Sequence, residues 1–497
     1  MAAWADGLNF YLATHPKVHP RAIKRFEPWM ALSFTEGSIG GDIERGEPEG
    51  AGGLLRQEPV GGGRLPARPR PSRPRLQGAD RLQRHRHSAE PDHRRHALLL
   101  INPHTSFYFR SELQMTSDEG LNAYGASTWG QFFIYQGFNA KAGWMHTSSA
   151  VDAVDEFVET IVRKDGKLFY KYGEALRPVR VSKETIRYKA ADGTLASRTF
   201  TVFHTHHGPI VKGEGDRWTA MALMVKPVPA LEQSFLRTKQ HDLKSYMKVA
   251  ALKANSSNNT LFADTAGEIA YLHPQFIPRR DDRFDYTKPV DGADPATDWK
   301  GLHDLDTVPR AVSPPNGWVY NVNNWPYTAA GPYSPKKDDF PRYMDTAGES
   351  YRGKHALLLL NSAKDLTLDR LLGLAFDPYL PAFGELLPTL ADAWDQTPDS
   401  DPLKASTKDQ VAALKAWDRK WGANSTETSL AVFWGETLYG AVVAEARARG
   451  INAYDYMQKT ATPAQKLKAL ADALGPPHGR LRKLEDALGP DQTASSA

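Results

Sequence analysis

The chain has 497 residues, 41% of them hydrophobic, no cysteine and a formal net charge of +4. That length supplies one large domain or two to three ordinary ones with a sizeable core. The missing cysteine excludes a disulfide framework, a thiolate metal site and a cysteine nucleophile. No apolar run approaches the length of a membrane-spanning helix, so no membrane partner is expected, and so small a charge does not by itself point to nucleic acid.

Met1–Gly7 lacks a basic start followed by an apolar stretch, so no signal peptide is visible. Ala2–Leu12 and Pro20–Leu32 read as helical, and Thr35–Arg45 as a loop or helix start carrying EGSIGGDIER. From Gly46 to His96 the composition changes: eleven Arg and no Lys, seven Pro, eight Gly and no aromatic residue. No period of two or 3.6 can be drawn there. One reading is a disordered basic linker. A second is a patch for nucleic acid or heparin, weakened by the lack of an aromatic for stacking. A third is translation out of frame, because GC-rich DNA read wrongly yields Arg, Pro, Gly and Ala. The segment holds six acids against its arginines, a net +5, which leaves −1 for the remainder of the chain. The basic balance therefore says nothing about partners of the folded part.

From Ala97 onward the pattern is strand-rich. Ala97–Ile101 reads as a buried strand ending in Asn-Pro, and Ser106–Met115 and Gly130–Tyr135 alternate as strands do. Leu168–Tyr172, Thr185–Ala190, Ser197–His204, Pro209–Lys212 and Trp318–Val322 are further strands. Leu261–Ala263 and Glu268–Leu272 form a hairpin. Helices follow at Lys354–Asn361, Thr367–Ala375, Ala382–Ala391, Lys408–Trp417, Glu427–Arg449 and Pro463–Ala473. A strand-rich middle flanked by helices indicates an α+β fold, or layered sheets covered by helices.

No HExxH, phosphate-binding glycine loop or GxSxG elbow is present. His204, His206 and His207 lie in HTHHGP, but no carboxylate is near them in sequence, and a strand ending in a Gly-Pro turn is the preferred reading. Four other places are unexpectedly polar. His104 follows ALLLI in INPHTSF; Gly143–Asp155 reads GWMHTSSAVDAVD; Asn321, Asn323 and Asn324 lie in GWVYNVNNWP; Arg352 lies in ESYRGKHALLLL. Each alone is explained by local capping or turn chemistry.

Together, and in this order, these motifs resemble the penicillin amidase family of N-terminal-nucleophile hydrolases, which includes acyl-homoserine-lactone, cephalosporin and aculeacin acylases. The resemblance spans Ala3–Arg45 and Ala97–Ala473 and includes TLFADTAGEIAYLHP. It implies an αββα sandwich, incomplete here, and hydrolysis of a linear amide in a small-molecule N-acyl substrate. It further implies a precursor that cuts itself before a serine to give a heterodimer of two chains. That serine's own α-amine, with a pKa of about 8, serves as base. Family members are periplasmic or secreted, whereas this chain as written would be cytoplasmic.

Carried across residue by residue, the resemblance makes His104 the group that holds the α-amine or a bridging water. It makes the Ser148 backbone N–H and the Asn323 side chain the oxyanion donors, and Arg352 the support for Asn323. Asp152, the Val154 carbonyl and Asp155 match a structural Ca2+ site of some members, against the alternative of two acids capping a helix. The His104 variant favours acyl-homoserine-lactone or aliphatic-acyl substrates.

Counted back from His104, the family's Ser-Asn-Gly start falls on Leu82, inside RLQRHRH. With suitable codons, Arg81–His87 read one base later gives Gly-Ser-Asn-Gly-Ile-Ala. In the tail, Leu474–Gly489 can be re-read in the same way, and the out-of-frame reading of both segments is therefore preferred. The expected organisation is a helical remnant of the first subunit at 1–45, the out-of-frame or disordered segment at 46–96, a catalytic region at 97–473 and a tail at 474–497. The chain is expected to be a frame-damaged piece of a precursor, inactive for want of a nucleophile. The rival from another class is a non-catalytic acyl-binding protein with a basic disordered arm.

Overall fold

The computed structural model describes residues 1–20, 23–33, 97–104, 110–128, 130–255 and 258–474. The expectations for Thr35–Arg45, for Gly46–His96 with Leu82, and for the tail beyond residue 474 lie outside the described residues. The strands run in chain order as β1 (Arg110–Ser117), β2 (Leu121–Thr128), β3 (Gln136–Asn139), β4 (Ala142–Ser148), β5 (Asp155–Lys164), β6 (Lys167–Tyr172), β7 (Ala175–Pro178), β8 (Arg180–Lys189), β9 (Leu195–His204), β10 (Ile210–Glu214), β11 (Arg217–Ala222), β12 (Asn258–Asp264), β13 (Ile269–Leu272), β14 (Val290–Asp291) and β15 (Ala311–Val312).

Antiparallel pairing joins β1-β2-β3-β4-β12-β13-β15 into a seven-stranded sheet, with β4 and β12 in register from Ser148↔Asn258 to Ala142↔Asp264. Where β2 meets β3 the backbones approach so closely that a Cβ on Gly125 would lie 2.2 Å from the Gln136 carbonyl oxygen, so only glycine fits. One face of this sheet buries Trp144, Phe262 and Leu272 together with Leu243 and Tyr246 of the helix Leu243–Ala250. The other face buries Met145, Leu261 and Tyr271 with Ala329, Ala330, Leu99 and Ile101. The α+β class holds.

A second sheet runs β10-β11-β5-β6-β7, with β14 paired parallel to β5. Along β5 burial alternates cleanly, and the inward residues are Asp155, Phe157, Glu159 and Ile161. Two of these four are carboxylates, which a strand interior tolerates only when their charges are met. β8 and β9 pair with each other as a separate ribbon.

The described residues form two compact units, one ending at Gly353 and the other beginning at Lys354. The second is helical. Its core includes Ala431, Trp434, Leu438, Val442 and Ala446, one face of the helix Thr426–Ala448 at helical spacing, packed with Leu386, Leu390, Leu414 and Leu470. Ser425 caps that helix by accepting from the Thr428 N–H at 3.1 Å.

Several local readings are corrected. Ala97–Ile101 forms no strand and is only partly buried; its Leu99 and Ile101 serve as side-chain packing against the sheet. Gly130–Tyr135 is irregular, and the strand follows it at β3. In the described part of Pro20–Leu32 the helical structure is a 3-10 turn at Pro28–Ser33. Trp318–Val322 is not a strand, because side-chain hydrogen bonds take over the role of a ladder. Conversely, GWMHTS is no turn but the centre of β4. It is buried on both faces and so shows no alternation.

Candidate active site

β4 delivers Thr147 and Ser148 to the end of the seven-stranded sheet, opposite Asn259 and Asn258 of β12. The irregular segment 318–325 comes to the same end. Asn321 is its buried anchor: its Oδ1 accepts from Thr147 Oγ1, from Asn259 Nδ2 at 3.2 Å and from the Asn323 N–H at 2.9 Å. The last of these closes an Asx turn, which holds Asn323 in the left-handed region at φ +67°. A non-glycine residue in that region is a cost that surrounding bonds must offset. Asn324 points the other way, donating from Nδ2 to Glu349 Oε1 at 3.0 Å and Tyr320 Oη at 3.1 Å. Glu349 also accepts from Thr328 Oγ1 at 2.6 Å and Trp325 Nε1 at 3.0 Å.

The exposed Asn323 side chain is set by its two partners. Arg352 Nη2 donates to its Oδ1 at 3.1 Å, and its Nδ2 donates to the Ser148 carbonyl at 3.2 Å. Arginine only donates and a carbonyl only accepts, so the amide orientation is unambiguous. Partial burial lowers the Arg352 pKa from its usual value, leaving it a permanent cation. The next residue, Gly353, is buried, and a Cβ there would lie 1.8 Å from Glu349 Oε1. Behind the site, burial pushes the His146 imidazole well below its ordinary pKa, with Arg237 adding to the effect. Neutral His146 meets Thr260 Oγ1 through Nδ1 at 3.0 Å.

Of the sequence-derived residues, the structure therefore unites Ser148, Asn323 and Arg352. His104 is exposed and stands outside this hydrogen-bonded network. Asn259 and Glu349 were missed. Both are buried or half-buried polar groups whose partners are remote in sequence; the only signal for Asn259 was the pair Asn258-Asn259 opening an apolar strand.

The calcium expectation does not fit. Asp155 is fully buried and both its oxygens are taken by Arg280, with Nε at 2.7 Å and Nη2 at 3.0 Å, while Trp299 Nε1 donates to Oδ2 as well. Arg280 Nη1 also donates to the Asp152 carbonyl at 2.8 Å, and the half-buried Val154 sits between the two acids. Burial raises the Asp155 pKa, an effect that Arg280 opposes. A guanidinium, anchored by the rings of Tyr343 and Tyr286, stands where a calcium ion would need oxygen donors.

The sequence matches the family model for penicillin amidase over residues 91–493. The chain belongs to the penicillin amidase family. It is 28% identical to penicillin G acylase of Escherichia coli over 295 residues, covering 57% of this chain and 32% of that protein. It is 26% identical to acyl-homoserine lactone acylase PvdQ of Pseudomonas fluorescens over 367 residues, covering 65% of this chain and 45% of that protein. The chain thus spans less than half the length of these relatives. Among solved structures, the thermostable penicillin G acylase from Alcaligenes faecalis superposes with a TM-score of 0.58 at 19% identity, over 78% of this chain and 74% of that one. That likeness is one of fold. Among the described residues no helix is long and apolar enough to cross a membrane.

Proposed function

We propose that this chain carries the oxyanion-stabilising part of an acylase for linear N-acyl amides, with Asn323 as side-chain donor, the Ser148 backbone as second donor and Arg352 as the positioning residue. The observation that supports it is the Arg352–Asn323–Ser148 chain of hydrogen bonds. Arg352 fixes the amide so that Nδ2 faces the Ser148 end of β4, and an exposed amide N–H there can turn to a developing oxyanion. Such a donor acts in the transition state, where negative charge gathers on the former carbonyl oxygen. In this reading the missing part is the nucleophile, since Leu82 stands where the family places its serine. A new N-terminal serine would supply both attacking hydroxyl and base, with His104 near its amine, and the acyl-enzyme would then be hydrolysed by water. N-acyl-homoserine lactones are the preferred substrate class and β-lactam amides the second.

The test uses the full chain, incubated with an N-acyl-homoserine lactone and, separately, a phenylacetyl amide. Intact-mass measurement should give one uncut chain, and no free acid should appear. A version with the shifted reading frame restored across Arg81–His87 should cut itself into two chains and release acid. Cleavage and turnover by the chain as written would refute the missing-nucleophile part. A restored version that cuts itself yet turns over equally well as Asn323→Ala would refute the assignment of Asn323.

A further inference from the structure

The histidines of HTHHGP end in a different place from the one their sequence neighbours indicate. β9 stops at His204, and a turn closed by Thr205 N–H to the Gly208 carbonyl at 3.0 Å carries His206 and His207 into the second sheet. There they meet two carboxylates from distant segments, Glu159 of β5 and Asp298 of the loop after β14. His207 is almost fully buried, with its ring stacked on Phe157 at 3.8 Å between centroids. Its Nδ1 lies 2.8 Å from Glu159 Oε1 and its Nε2 lies 2.9 Å from Asp298 Oδ1. The same Asp298 oxygen lies 3.4 Å from His206 Nε2. Single ligand atoms of Glu159, His206 and His207 all lie within 4.8 Å of one another.

We propose that His206, His207 and Asp298 form a binding site for a divalent d-block cation such as Zn2+, with Glu159 orienting His207 from behind. Four observations carry this. His207 faces a carboxylate at each ring nitrogen, and a carboxylate only accepts. With Nδ1–H given to Glu159, the Nε2 side facing Asp298 is filled either by a second ring proton or by a metal ion that both atoms ligate. Next, each ligand is held on its far side: His206 Nδ1 faces Tyr170 Oη at 3.1 Å, Asp298 Oδ2 accepts from Tyr172 Oη, and His207 Nδ1 meets Glu159. Carboxylate or hydroxyl partners of this kind are what fix the tautomer and aim of metal-binding histidines.

The third observation is spacing. Tetrahedral zinc sets neighbouring ligand atoms about 3.3 Å apart, and Asp298 Oδ1 already stands 2.9 and 3.4 Å from the two nitrogens. Imidazole with carboxylate is a donor set for zinc and its neighbours rather than for calcium. The fourth is charge. Glu159 is wholly buried, and its Oε2 has no hydrogen-bond partner among the described residues. That oxygen points to Gly292, where a Cβ would come within 2.7 Å. Glu159 and Asp298 bring two carboxylates to the histidine pair, negative charge that a divalent cation would offset. His206 and Asp298 each keep 29% of their side-chain surface exposed, which gives an ion its entry and leaves room for water as a further ligand.

The site is tested on the full chain, stripped with a chelator and given Zn2+ or Co2+ alone. Equilibrium dialysis with metal counting should find one more tightly bound ion per wild-type chain than in His206→Ala or His207→Ala. Glu159→Gln should weaken that ion about 10- to 100-fold, as loss of an orienting partner does. Co2+ should give a visible absorption band that these variants lack, while His241→Ala, on the exposed surface, should match wild type. Saturating Zn2+ should raise the Tm of wild type and leave that of His206→Ala unmoved. If His207→Ala does not fold, His206→Ala and Asp298→Asn decide. Equal stoichiometry, affinity and Co2+ spectrum in wild type and His206→Ala would overturn the proposal. The readouts need no turnover, so the outcome is independent of the acylase reading.

Discussion

Two carboxylates sit four residues apart on the inward face of β5, and they are neutralised in opposite ways. Asp155 faces Arg280, a cation that cannot be lost, and both of its oxygens are occupied. Glu159 faces an imidazole and a threonine hydroxyl, and one of its oxygens has no hydrogen-bond partner among the described residues. Adjacent loop residues divide the work, for Trp299 donates to Asp155 while Asp298 closes on the histidines. The first is a permanent internal ion pair; the second belongs to the histidine cluster proposed above as a cation site. The strand period places both acids inside, and only the partner's chemistry makes one a clasp and the other a candidate receptor.

The comparison can be broken most directly at Arg280. Arg280→Ala should cost about 3–5 kcal/mol in urea unfolding, because it strands a fully buried carboxylate. His207→Ala without metal should cost less, about 1–3 kcal/mol, since Glu159 keeps Thr205. Equal losses would mean that the two acids do not differ as described. At the other sheet, Asn321→Ala should cost about 2 kcal/mol by leaving three donors unmatched, and Asn321→Asp, which keeps the acceptor, should recover part of it. Acid should expose another buried histidine. His273 is held at a pKa of about 3 by burial, so below its unfolded pKa the unfolded chain binds the extra proton. Stability should therefore fall as pH drops from about 6.5 towards 3, by about 2 kcal/mol at pH 5 from this residue, and His273→Gln should flatten that slope. The smallest effect belongs to the exposed pair Lys415–Asp395, where Lys415→Ala should change stability by less than about 0.5 kcal/mol.

Much of this molecule could be read from the chain itself, and the failures share a cause. The helix Thr426–Ala448 was legible because its buried residues recur at helical spacing, and the hairpin at Asp264–Gly267 because its turn chemistry is local. Ser148, Asn323 and Arg352 were legible as a group through their motifs. β4 was not, since a strand buried on both faces shows no alternation. The Glu159–His207–Asp298 cluster was set aside because no acid neighbours the histidines in sequence. Its carboxylates arrive from 48 and 91 residues away, a distance that only sheet pairing bridges. Asp155 suggested an oxygen ligand for calcium for the same reason: its true partner, Arg280, is 125 residues distant.

The β8–β9 ribbon shares no ladder with either larger sheet among the described residues. Most of β8 and the first half of β9 are exposed, including Val181, Ile186 and Leu195. It is therefore the natural splice point of the first unit. Its tip, Ala190–Thr194, is closed by its own turn bonds, so a reporter or affinity handle could be inserted there without unzipping a strand on which Asn323 or Glu159 depends.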